Sequence, residues 1–196
     1  LGTALETLSA TLVERPRSDL LSICGTEAER QVVALPDPPP PRAPPEMVEG
    51  AVFLSDLSWT SASSGWTANG DGLPRLDLNV QDRPQRLGAR QYPRGIGTHA
   101  PSESIYRIDG LYARFQAEVG GAEEGGTVVF QVFGDGELLA ETSVLRGLKE
   151  VESIDVSLKG VRRLRLVVTD AGDNYFCDMA NWASARLLGA APTDNP

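Results

Sequence analysis

The residues of this 196-residue chain that could do chemistry gather in four short segments. Leu54 to Trp66 sets Trp59 and Trp66 on either side of a run of Ser and Thr hydroxyls. Tyr92 to Glu103 carries Tyr92, Arg94, the single histidine His99, and Glu103. Phe133 to Gly136 is a Gly-Asp-Gly turn. Thr169 to Ala183 holds Asp170, Asp173, Asn174, Tyr175, Cys177, Asp178, Asn181 and Trp182. A lone imidazole, a guanidinium, carboxylates and amides beside planar rings suit a neutral sugar. Rings cover the apolar C–H face of a pyranose, while charged and amide side chains hydrogen-bond its hydroxyls. Some of these residues also have a plainer role. Trp59 and Trp182 sit beside strand ends and read as core residues. Trp66, next to Gly65 and close to Asn69-Gly70, reads as a loop residue. An isolated histidine such as His99 is most often structural.

Other chemistries find less support. Asp170, Asp173 and Asp178 offer hard oxygen ligands suited to calcium rather than zinc, but their spacing is not that of an EF-hand loop. A glycosidase needs two carboxylates at a fixed separation, which loops can supply almost anywhere. Serine catalysis lacks a Gly-x-Ser-x-Gly elbow, and a Cys177 nucleophile could pair only with His99. With one His and two Cys, a zinc site of Cys and His alone is short of ligands. A Cys24 to Cys177 disulfide requires the N-terminal region to fold back. The net charge of −9, from 18 basic and 27 acidic residues, repels nucleic acid and anionic lipid.

The elements that must position these residues follow from the hydropathy pattern. Hydrophobic residues make up 41% of the chain and charged residues 23%, the balance of a water-soluble chain able to bury a core. Residues 1–35 form an arm with two short, partly helical apolar segments interrupted by Pro16 and Gly25. Residues 36–50 are a linker in which the run from Pro36 to Pro45 favours an extended polyproline II spacer. Beyond Gly50 the chain turns to short strand-like runs: Ala51–Leu54, Leu76–Val80, Ile105–Ile108, Ala113–Val119, Val128–Val132, Val151–Val156, Arg163–Thr169 and Ala183–Leu188. Asp135-Gly136 predicts a tight hairpin between Val128–Val132 and Leu138-Leu139. Short strands without intervening helical pattern predict an all-β fold, an antiparallel sandwich over residues 51–190. The chain begins at Leu1 and has no apolar run near the roughly 20 residues of a membrane span, so it reads as a soluble, processed or excised piece.

The segments Phe53–Trp59, Arg94–Ala100, Val129–Gly136, Leu164–Asp173 and Ala180–Ala183, in this order and spacing, resemble the NPCBM family, also called carbohydrate-binding module family 51. The resemblance spans about residues 51 to 188. It implies a jelly-roll β-sandwich of the galactose-binding-like type, usually one non-catalytic module of a longer secreted glycoside hydrolase or surface protein, with a structural calcium. It further implies His99, Glu103 and Arg94 as hydroxyl contacts, with Tyr92, Trp66, Asn174 and Tyr175 adding contacts or stacking. Asp56, Asn181 and Asp178 are the implied calcium ligands. Where relatives read Asp-His-Ala-Asp-Trp, this chain reads Asp178-Met179-Ala180-Asn181-Trp182, without the second histidine and one carboxylate. The expected partners are a galactose-containing glycan and other domains of a parent protein, with neither nucleic acid nor membrane, in a secreted, cell-surface or periplasmic setting. A competing expectation keeps the fold and assigns a structural or protein-interaction role; a more distant one assigns hydrolysis to the loop carboxylates.

Overall fold

The structure is a computed structural model and describes residues 50–190, so the expected arm and most of the linker, with Cys24, lie outside it. Two antiparallel sheets face each other. The first contains β1 (Val52–Phe53), β3 (Arg75–Leu76), β6 (Gly95–His99), β8 (Tyr112–Gly121), β12 (Val151–Ser157) and β14 (Met179–Ala190). Its order is β12-β8-β14-β6-β3, and β1 adds to β14. The second contains β2 (Ser61–Ser64), β7 (Ser102–Arg107), β9 (Thr127–Gly134), β10 (Glu137–Glu141), β11 (Leu145–Arg146) and β13 (Arg163–Thr169). Its order is β10-β9-β13-β7-β2, with β11 on β9. A separate hairpin, β4 (Gln85–Leu87) with β5 (Arg90–Tyr92), lies over the outer face of the first sheet, where Leu87 and Tyr92 pack on Ala183.

The sandwich follows from period-two alternation. In β9, Val128, Phe130 and Val132 are buried between partly exposed neighbours, and in β13 Leu164, Leu166 and Val168 are. These side chains meet Phe115, Val119, Ile96, Ala180 and Trp182 from the first sheet in one core. Trp182 is its centre, edge-on to Phe130 at 4.9 Å between ring centroids and tilted against Phe115 at 6.2 Å. Trp59 packs against the same cluster, so both tryptophans expected in the core are there. The Asp135-Gly136 hairpin also forms, with φ of 50° and 98° at its two central residues.

Two local expectations fail. Only Arg75 and Leu76 of the region up to Val80 pair with β6, and Leu78 makes just an isolated bridge to Pro84. The cause lies in Asn79, whose Oδ1 accepts hydrogen bonds from the Gln81 and Arg83 amides and turns the chain. The β4–β5 hairpin was not foreseen, because Gln85–Leu87 and Arg90–Tyr92 are too short and too polar for an alternation signal.

Candidate functional site

Antiparallel pairing gathers five connections at one end of the sandwich: β2–β3, β6–β7, β8–β9, β11–β12 and β13–β14. His99 ends β6 directly opposite Met179, the first residue of β14. Because Ile96, Ala180 and Trp182 face the core, His99, Met179 and Asn181 face outward from the first sheet. Asn181 is thus a diagonal neighbour of His99 on the next strand, about 7–8 Å away between Cα atoms.

His99 is 5% exposed and lies against an aromatic ring. The Trp66 ring centroid is 6.1 Å from the imidazole's, at 57° between planes. Gly65 makes this approach feasible: a Cβ there would stand 2.9 Å from the Ala100 carbonyl carbon and 3.0 Å from Pro101 Cδ. Its amide donates to His99 O at 2.9 Å, while the His99 amide donates to Ser64 Oγ at 3.0 Å. Nδ1 lies 2.6 Å from Ala100 O, which can only accept, so Nδ1 carries the proton of the neutral ring. Nε2 is then an acceptor; it makes no hydrogen bond among the described residues and is not sealed from solvent. Burial pushes the imidazole pKa below its ordinary value, keeping it neutral at pH 7.

Around Asn181 the outer sheet face opens into a cleft of about 400 Å³, walled by Asn79, Gln81, Arg83, Arg86, Gln91 and Glu123; neither His99 nor Trp66 lines it, and Asn181 is the link between the two places. Gly97 allows the wall to form, since the Leu78–Asn79 backbone presses directly on it where any side chain would stand. Asn181 is fully buried. Its Nδ2 donates to Arg86 O at 3.1 Å, and its Oδ1 has no partner. Gln81 Nε2 reaches toward Glu123 Oε2 at 3.5 Å. A buried acceptor without a donor is costly unless water or a ligand hydroxyl supplies one.

The remaining expected site residues divide. Asn174 and Tyr175 lie on the β13–β14 connection at the same end. Asn174 Oδ1 accepts from the Phe176 amide, and Tyr175 stacks on Phe176 at 5.0 Å, 54% exposed. Asp178 ties the connections together: its carbonyl accepts from the Ala100 amide at 2.9 Å and Oδ1 from the Thr127 amide at 2.8 Å. Its Oδ2 is buried and unpartnered, and desolvation, with Asp173 and Asp170 nearby, raises its pKa to about 6.

Three of the expected sugar contacts are elsewhere. Arg94 precedes the first residue of β6, at the opposite end from His99, and pairs with Asp56 and with Asp77 at 3.3 Å. Tyr92 is buried beneath the hairpin with its hydroxyl on Glu118, and burial raises its pKa. Glu103 follows the crossing from β6 to β7, so it belongs to the second sheet, where alternation turns it outward to Arg165 at 3.5 Å. The three residues expected to ligate calcium are not gathered in one place: Asp56 is paired with Arg94 at the start of β6, whereas Asp178 and Asn181 lie toward the His99 end of the sheet. A cation does organise the β2–β3 region, but it is the Arg75 guanidinium, bonded to Asn69 Oδ1, both oxygens of Asp71, Leu73 O and Asp82 Oδ1. Cys177 is disulfide-bonded, which removes it as a thiol nucleophile. Sequence reading missed the cleft wall: Asn79, Gln81 and Gln91 carry no aromatic or charge signal, and only the Asn-x-Gln-x-Arg turn chemistry hinted at them.

The sequence profile of the NPCBM/NEW2 domain matches residues 50–188. Among solved structures, the CBM51 module of a Clostridium perfringens GH95 protein, in complex with methyl-galactose, is 30% identical with a TM-score of 0.63, covering 70% of this chain and 99% of that one. The CBM51-2 and INT domains of Clostridium perfringens ZmpB, in complex with GlcNAc, are 32% identical with a TM-score of 0.65, over 72% of this chain and 32% of that one. Alpha-1,3-galactosidase B of Akkermansia muciniphila is 32% identical over 57% of this chain, which spans 15% of that protein's length. A Renibacterium salmoninarum protein designated an endo-alpha-N-acetylgalactosaminidase is 29% identical over 95% of this chain, 12% of its own length. The jelly-roll sandwich, the loop end built around Gly95–Ala100 and the profile match agree, and the chain belongs to the NPCBM/NEW2 family as a non-catalytic carbohydrate-binding module.

Proposed function

We propose that the module holds a terminal hexopyranose of a galactose-type glycan in the cleft floored by Asn181, beside His99 and Trp66, and thereby tethers a larger extracellular glycoside hydrolase to its substrate. The observation that carries this reading is the fully buried Asn181 with an unpartnered Oδ1 at the base of a polar cleft. A sugar hydroxyl is the donor such an atom lacks, reached by a small shift of the side chains that cover the floor, and the neighbouring Gln81 and Gln91 amides offer both donors and acceptors. The cleft volume of about 400 Å³ suits one ring. The methyl-galactose and GlcNAc bound by the two Clostridium modules support the ligand class. The glycosidase relatives, of which this chain spans a small part, support the tethering role.

Affinity for one ring of about 12 heavy atoms is modest, on the order of −4 to −6 kcal/mol, or a Kd between about 1 mM and tens of micromolar. Isothermal titration with methyl-galactoside, GlcNAc and lactose tests the reading. Asn181→Leu removes the buried acceptor and is expected to weaken binding at least about tenfold. Absence of heat with all three sugars, or wild-type affinity in Asn181→Leu, overturns it.

A further inference from the structure

The cleft carries a charge that a neutral hexose leaves unused. Arg83 and Arg86 both line it, and neither guanidinium makes an ion pair or hydrogen bond among the described residues. Both therefore leave positive charge on the lining of the cleft, in a chain of net charge −9. Six other arginines, Arg75, Arg90, Arg94, Arg107, Arg114 and Arg165, are each neutralised by a carboxylate. Arg146, Arg162, Arg163 and Arg186 also lack a carboxylate in an ion pair, but they do not line the cleft.

The two arginines are also set in place. The Arg83 amide donates to Asn79 Oδ1 at 2.9 Å and its carbonyl accepts from the Asn79 amide at 2.8 Å, so its backbone belongs to the turn that forms the wall. The Arg86 carbonyl accepts the Asn181 amide at 3.1 Å, fixing its backbone to the cleft floor. In β4, Gln85 and Leu87 are buried, and alternation turns Arg86 outward between them. The one carboxylate among the described lining residues, Glu123, faces the Gln81 amide at 3.5 Å. Two arginines on the lining of a concave polar site, each with its guanidinium donors unspent among the described residues, can supply an oxyanion with charge-assisted hydrogen bonds from the rim.

We infer that the cleft prefers a glycan bearing an anionic substituent, a carboxylate or a sulfate ester, held by Arg83 and Arg86 while Asn181 engages a ring hydroxyl. The inference rests on the proposed function above and narrows its ligand class. It sets this chain's preference apart from a plain galactose, and the floor fits: Asn181 is an uncharged amide and sets no negative charge against such a ligand.

Isothermal titration against lactose, 3′-sialyllactose and a 6-sulfated galactoside, in low and in 0.5 M salt, tests it and separates the two anion sources. The expected result is that at least one anionic glycan binds about tenfold more tightly than its neutral parent at low salt, and that the ratio shrinks in high salt. In Arg83→Gln/Arg86→Gln the ratio of anionic to neutral affinity is expected to fall to about one, while Arg162→Gln/Arg163→Gln, matched in charge, retains it. Equal affinity for neutral and anionic glycans overturns the inference and leaves the proposed function standing, as does a preference that survives the Arg83/Arg86 double variant. No binding of any sugar overturns the proposed function itself.

Discussion

Replacing Gly97 by alanine isolates the contact on which the cleft wall depends. The added Cβ would stand 2.6 Å from the Asn79 carbonyl carbon and closer still to Leu78 O and Asn79 Cα, all backbone atoms that cannot rotate away. An ordinary contact begins at 3.4 Å, so the Leu78–Asn79 segment must retreat by at least about 1 Å. Gly97 has no positive φ, so backbone strain adds nothing to the cost. Overpacking of this kind costs about 1–3 kcal/mol, which lowers Tm by roughly 3–10 °C in a domain of this size. The retreat carries Asn79, Gln81 and Arg83 away from Asn181, and loss of one ligand hydrogen bond to that wall weakens sugar binding about tenfold. Gly136→Ala is the control. Gly136 has φ of 98° and open space around it, in the β9–β10 turn outside the cleft, so it is expected to lose stability through strain while keeping its affinity. Thermal denaturation and isothermal titration on both variants decide the matter. Gly97→Ala with wild-type affinity would refute the claim that the wall rests on this glycine.

Asp178→Asn keeps an acceptor for the Thr127 amide and removes a carboxylate whose pKa is raised to about 6 from an unfolded value near 3.9. Between those values the native state holds more protons than the unfolded chain. The stability contributed by protonated Asp178 is therefore full below about pH 4 and lost as pH rises through 6. The variant is expected to gain on the wild type steadily over that range in Tm measured against pH, whereas a pH-independent difference would show that Asp178 is not buried as a neutral acid. Arg75→Lys keeps the charge but not the fork that reaches Asn69, Asp71, Leu73 and Asp82. It is expected to lose about 1–2 kcal/mol in urea unfolding, and full stability in the lysine variant would contradict the role given to the planar guanidinium.

The sandwich was legible because β9, β13 and β8 alternate cleanly and the Asp135-Gly136 turn has a strong local signature. Of the candidate site, the sequence placed correctly only what lies at a strand end that the chain reaches directly, as with His99 at the end of β6. Arg94 lies five residues earlier, but five strand residues at about 3.3 Å each carry it to the far end of the sandwich. Glu103 lies four residues later, but the chain changes sheets between Ala100 and Ser102. Proximity along the chain is therefore misleading across either a strand or an arch. The cleft was invisible for another reason: Asn79 and Gln81, Gln91, and Asn181 come from three separate segments and share a site only through register and the turn at Asn79.

One strand, β14, joins the binding end to the boundary of the domain. It starts at Met179 beside His99, passes Asn181, and at Arg186 and Leu187 lies against Phe53 and Val52, where the domain's chain enters. Entry and exit thus stand side by side, opposite the end that carries the proposed site. If the module tethers a larger protein to a glycan, as proposed above, a pull on the protein would run lengthwise down this strand. Its hydrogen bonds to β6 and β8 lie crosswise to that pull, so they resist together instead of opening one after another like a zip. The module is built as a mooring: the line is made fast to the strand that also lies beneath the hook.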